Sequence, residues 1–61
     1  MSRKHFVAIA AEMLVLVNAA KESKDQVRLV ALNDTVSSLC DVFAGCNSRF
    51  DRQRFFQACG L

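Results

Sequence analysis

The sequence predicts an all-α protein: two long antiparallel helices and a short C-terminal helix, forming one small helical domain over residues 1–61. Three observations carry this expectation. Proline is absent and glycine occurs twice, at Gly45 and Gly60, so few helix breakers interrupt the chain. Between them the sequence is rich in alanine, leucine and valine, with good helix formers interspersed. Apolar residues also recur at steps of three and four, the spacing of one face of an α-helix.

The first helix is expected over about 3–21, with Ser2 as its N-cap. Phe6, Ile9, Ala10, Met13, Leu16, Val17 and Ala20 make a core-facing stripe. Val7, Ala11, Leu14 and Val15 cover much of a second face, and Glu12 is the single charge between Phe6 and Val17. A helix apolar nearly all round is buried on more than one side or spans a membrane. Spanning needs about 20 apolar residues, which this run does not supply. Packing against a second copy is the expectation, with Val7, Ala11, Leu14 and Val15 as candidate interface residues.

The polar cluster "KESKD" separates this helix from the second, expected over about 25–44 with Ser23 or Asp25 as its cap and Gly45 as its stop. Leu29, Leu32, Val36, Leu39, Cys40 and Phe43 form its apolar stripe, and Asp34, Ser38 and Asp41 lie opposite. Val27, Val30 and Ala31 add a possible second apolar patch near its start.

Asn47 and Ser48 form the second turn, and Asp51 caps a third helix over about 52–59. Phe50 and Phe55 stand at the two positions of a hydrophobic staple. Gly60 and Leu61 stand where a Schellman ending places a left-handed residue and an apolar residue that folds back on Phe56.

A chain this short has little stability to spare. Burial contributes about 90 kcal/mol, from ~5,900 Å² removed from water, ~60% of it apolar, at ~25 cal/mol/Å². Ordering the chain costs about the same, at ~1.5 kcal/mol per residue. With 52% hydrophobic residues, the chain is therefore expected to gain stability as a homodimer.

The net charge of +2 is far from the strong positive field of a typical nucleic-acid binder. Cys40, Cys46 and Cys59 are an odd number of thiols with no secretory cleavage site behind the basic "MSRKH" start, which predicts reduced cysteines in a cytoplasmic protein with no membrane segment. No close Cys/His pair suggests a metal, and a Cys46–Cys59 disulfide is the lesser alternative to packing roles. His5 is the single histidine, the carboxylates are scattered, and two glycines make no phosphate loop. The expectation is a binding protein, neither an enzyme nor a cofactor carrier.

Arg49, Arg52 and Arg54 are the residues that helix formation does not explain. Cations in a first helical turn oppose the helix dipole. With Arg3 and Lys4 they would form a basic patch if the two chain ends meet, suited to an anion or an acidic partner. The bland alternative is a solvated polar face, with Asp51 absorbing one charge.

The ending "FAGCNSRFDRQRFFQACGL" and the opening "MSRKHFVAIAAEM" resemble those of a group of small proteins encoded by bacteriophages, prophages and plasmids. Their ends commonly read Phe-Asn-Pro-x-Phe-Asp-x-x-Arg-Phe-x-x-Ala-Cys-Gly. Asn47, Phe50, Asp51, Arg54, Phe55, Ala58, Cys59 and Gly60 fit, while Ser48 stands where Pro is frequent and Cys46 where Phe is. The resemblance implies a source, mobile-element accessory genes, many of which encode proteins that bind and inhibit a host or defence component. The expectation for this chain is a protein that binds a bacterial host or defence protein and inhibits or modulates it. A small nucleic-acid- or nucleotide-binding regulator using the terminal basic residues is the alternative.

Overall fold

The computed structural model describes residues 2–61 as three helices: α1 (Arg3–Glu22), α2 (Gln26–Cys46) and α3 (Arg52–Ala58). Each helix packs on the other two. A tight turn joins α1 to α2, and Phe6 near the start of α1 meets Phe43 near the end of α2 with ring centroids 5.0 Å apart. The two long helices are therefore antiparallel. The assembly measures 35 × 18 × 14 Å.

Every helix start is closed by the residue in front of it. At Ser2, the backbone N–H donates to His5 Nδ1 at 3.1 Å, the return half of a capping box. Asp25 accepts from the Arg28 N–H at 3.0 Å and Asp51 from the Arg54 N–H at 3.1 Å. Of the two caps the sequence offers for α2, Asp25 is used; Ser23 closes the end of α1 instead.

Two helix ends are Schellman motifs. After α3, Gly60 donates to the Gln57 carbonyl at 3.0 Å and Leu61 to the Phe56 carbonyl at 3.1 Å, with Gly60 at φ +83. After α1 the same pattern recurs with a residue that the sequence does not flag: Lys24, at φ 55, donates to the Lys21 carbonyl and Asp25 to the Ala20 carbonyl.

The expected stop of α2 at Gly45 is corrected. The helix runs through Gly45 to Cys46, and Asn47 is its C-cap, donating to the Phe43 carbonyl at 2.9 Å. A glycine ends a helix when it adopts left-handed backbone; Gly45 does not, and the following Asn47–Phe50 turn supplies the reversal instead. The third helix stops one residue short of expectation, because Cys59 is its cap.

Ala10, Met13, Val36, Cys40, Phe43, Phe55 and Cys59 form the core cluster, flanked by half-buried Phe6, Ile9, Leu32, Leu39, Phe50 and Phe56. Four phenylalanines, one from each helix and one from the second turn, weld the three helices together. Phe6, Phe43, Phe50 and Phe55 lie 5.0–5.6 Å apart in tilted and edge-to-face pairs. The Phe50–Phe55 pair is the expected staple. Leu16 departs from the expected core stripe and is 40% exposed.

The α2 helix is long and apolar enough to cross a membrane by length and composition, with mean hydropathy 1.2 over its most apolar window. Asp34 and Asp41 fall within the helix, and a carboxylate near a bilayer centre costs about 3 kcal/mol.

Candidate functional site

The expected meeting of the two chain ends occurs. The N-terminal turns of α1 lie beside the second turn and α3, and between them opens a groove of about 570 Å³. Phe6, Val7 and Ala10 of α1, Phe50 of the turn, and Phe55 and Ala58 of α3 contribute its apolar lining. Arg3, Arg49 and Arg54 line it from three separate elements, and Asp51 and Asn47 complete the lining.

The local folding of the second turn explains how Arg49 and Arg54 come to share this groove. Asn47 Oδ1 accepts from the Arg49 N–H at 3.0 Å, and the Asn47 carbonyl accepts from the Phe50 N–H at 3.0 Å. This double closure turns the chain so that Phe50 joins the aromatic cluster. Asp51 then starts α3, which carries Arg54 on its first turn.

The three C-terminal arginines do not act alike. Arg52 is committed to α2: Nη1 donates to Asp41 Oδ1 at 2.7 Å, and Nη2 donates to the Ser37 carbonyl at 3.2 Å and to Ser37 Oγ at 3.1 Å. The hydrogen bond that Arg52 donates to Asp41 holds the Arg52 pKa above its ordinary value. Arg52 is a clamp between α3 and α2, not part of the groove, and Asp41 is its partner, not simply a solvated carboxylate. A sequence reading misses the pair because its members are eleven residues apart on different helices.

Among the described residues Arg52–Asp41 is the one ion pair, so the Arg3, Arg49 and Arg54 guanidiniums have no carboxylate partner. Asp51, in the same lining, makes no ion pair with them; its carboxylate caps α3. Lys4 is exposed and lies outside the groove lining.

Of the candidate interface residues, Val7 and Val15 are 61% and 63% exposed and Ala11 is exposed. Leu14 is half-buried, and its Cδ1 lies where a side chain on Gly60 would begin. The C-terminal turn covers Leu14, a contact with no sequence signal. Lys21 Nζ donates to the Gly60 carbonyl at 2.7 Å and fastens the same turn.

The cysteines are free thiols. Cys40 and Cys59 are completely enclosed while Cys46 is exposed. Burial raises the pKa of both enclosed thiols; for Cys40, nearby Arg52 partly opposes this, and for Cys59 the neighbouring Cys40 adds to it. Among the described residues no three of His, Cys, Asp and Glu gather in a metal-binding group.

The fold and groove define a small three-helix protein with a cationic, aromatic-floored cleft. No protein-family model, curated protein or solved structure matches the chain.

Proposed function

We propose that this chain is a phage- or plasmid-type accessory protein that binds a bacterial host or defence protein and inhibits or modulates it. The observation that carries the reading is the groove, whose lining joins Arg3, Arg49 and Arg54, without ion-pair partners among the described residues, to Phe6, Phe50 and Phe55. Paired charges would stabilise the fold; unpaired ones beside apolar surface suit a partner that brings the opposite charge. The resemblance at both chain ends supports a mobile-element source. The protein acts in the bacterial cytoplasm, without a cofactor and without catalysis.

Self-association is part of the proposal. Val7, Ala11 and Val15 present an exposed apolar strip along α1 that a second copy would cover, Val7 lying at the end that the strip shares with the groove. Light scattering at micromolar concentration tests this: a dimer is expected, and Val15→Asp is expected to return it to a 6.8 kDa monomer.

The second reading, a nucleic-acid- or nucleotide-binding regulator, rests on the same three guanidiniums. Affinity capture from bacterial lysate, wild type against Arg49→Glu/Arg54→Glu, separates the two. A discrete bacterial protein held by the wild type and lost with the variant is expected. Retention on DNA at low salt that collapses at moderate salt, with no protein captured, would replace the first reading with the second.

A further inference from the structure

The geometry points to a specific ligand chemistry for the groove: a short acidic peptide segment of the partner protein, carrying one apolar anchor side chain between carboxylates. This inference rests on the proposed protein-binding role and names what the site would take.

Charge complementarity is the first argument. Three arginines, Arg3 of α1, Arg49 of the second turn and Arg54 of α3, share the lining with the apolar residues, against one acidic residue, Asp51, whose Oδ1 accepts from the Arg54 N–H. A planar guanidinium pairs with a carboxylate through two parallel N–H donors, and three such groups around one cleft fit a ligand with several carboxylates. Size is the second argument. A volume of about 570 Å³ is enough for a short apolar anchor and its flanking backbone. The lining between the arginines is Phe6, Val7, Ala10, Phe50, Phe55 and Ala58, a surface that stabilises an apolar group withdrawn from water.

The rings of that floor argue against a nucleic acid. Single-strand binders stack bases on free aromatic faces. Here Phe6, Phe50 and Phe55 pack in tilted and edge-to-face pairs within one cluster with Phe43, at centroid distances of 5.0–5.6 Å, so part of each ring's surface is taken up inside the protein. Phe55 is only 5% exposed.

The test uses the full chain and two fluorescent peptides, one with a central Phe-Leu pair flanked by glutamates and one with the pair replaced by Ser-Ser. Anisotropy titration at moderate salt should show the Phe-Leu peptide binding about tenfold more tightly than its Ser-Ser counterpart. Arg49→Glu/Arg54→Glu should weaken it by at least about tenfold, while Arg28→Glu, on the exposed side of α2, should leave it within about twofold. Circular dichroism confirms that each variant is folded. Equal binding of both peptides, or equal losses in the Arg28 and groove variants, overturns the inference in favour of nonspecific charge attraction. Tighter binding of a single-stranded oligonucleotide, lost with the groove arginines, overturns it in favour of a nucleic acid. Should lysate capture yield a partner that depends on Arg49 and Arg54 while the Phe-Leu peptide does not bind, the acidic-segment inference fails and the protein-binding reading stands.

Discussion

Replacing Gly60 by alanine tests how the C-terminal turn is held on α1. Gly60 sits at φ +83 as the left-handed residue of the Schellman motif that closes α3. An L-residue in left-handed backbone costs about 1–2 kcal/mol. The new Cβ would also lie 2.7 Å from Leu14 Cδ1, too close for contact. That carbon is the tip of a flexible side chain, so relief by a rotamer shift costs only about 0.5–1 kcal/mol. The sum is about 2 kcal/mol, with the backbone the larger share. For a domain of this size that is a fall in melting temperature of about 10 °C. Thermal and urea unfolding followed by circular dichroism read it directly. Repeating the substitution in a Leu14→Ala background separates the parts, since the clash disappears and the backbone cost remains. An unchanged midpoint in Gly60→Ala would refute the reasoning. The chain end would then not be docked against Leu14, and the cover over the outer face of α1 would be lost with it.

Lys24→Gly, at the equivalent position after α1, should act in the opposite direction. Relief of left-handed backbone at φ 55 gives a gain of about 0.5 kcal/mol, after the greater unfolded-state freedom of glycine is deducted; a loss of stability in the same unfolding assay would contradict it. Gly45→Ala should stabilise by about 0.5–1 kcal/mol, because Gly45 is inside α2 and its added Cβ meets nothing within 4 Å. Arg52→Ala should lower stability without weakening groove binding, and Asp41→Asn should reproduce that stability loss; equal loss of peptide binding in Arg52→Ala would show that the clamp and the groove are one unit. Iodoacetamide should modify Cys46 alone in the native protein and all three cysteines after unfolding, as mass spectrometry would show. Because burial raises the Cys40 and Cys59 pKa values above the ordinary 9.0, the folded state holds their protons longer than the unfolded chain. Stability should then be insensitive to these thiols well below pH 9 and decline as the pH rises above it, and Cys40→Ala/Cys59→Ala should flatten that decline.

The legible parts of the fold were those written in local chemistry. Asp25 and Asp51 cap helices because a carboxylate three residues before a free N–H reaches it whatever lies beyond, and Phe50, Phe55, Gly60 and Leu61 close α3 within twelve consecutive residues. The misreadings came where a nearby rule had a competitor. Gly45 is a permissive residue, but permission to turn is not an instruction, and the Asn47 side chain and carbonyl govern the turn two residues later. Lys24 adopts left-handed backbone with no glycine to announce it, because two carbonyls at the end of α1 are satisfied in return. Of the candidate site, the convergence of Arg3, Arg49 and Arg54 was legible as a condition on the chain ends meeting. The diversion of Arg52 to Ser37 and Asp41, and the cover of Leu14, depend on how α3 sits across the hairpin, and no spacing along the chain encodes that.

The placement of charge separates what the fold needs from what it tolerates. None of the three helices has an acidic residue in its first turn. Instead α1 begins with Arg3 and Lys4, and α3 carries Arg52 and Arg54 in its first turn, each cation opposing the helix dipole by a few tenths to one kcal/mol. In a chain whose folding balance is near zero, such placements are a measurable burden. Arg52 offsets its share through Asp41 and Ser37. Arg3 and Arg54 have no such return among the described residues, and they share the groove with Arg49 over the same phenylalanines. Lys4 and Arg28, in the first turns of α1 and α2, oppose their helix dipoles outside the groove. It is therefore the sharing of one cleft by unpaired arginines, not first-turn placement alone, that fits residues set by binding rather than stability. Neutralising them therefore makes opposite predictions for the two properties. Arg3→Gln/Arg54→Gln should raise the unfolding midpoint slightly while abolishing peptide binding, and a variant that lost both would place these arginines among the residues that hold the fold.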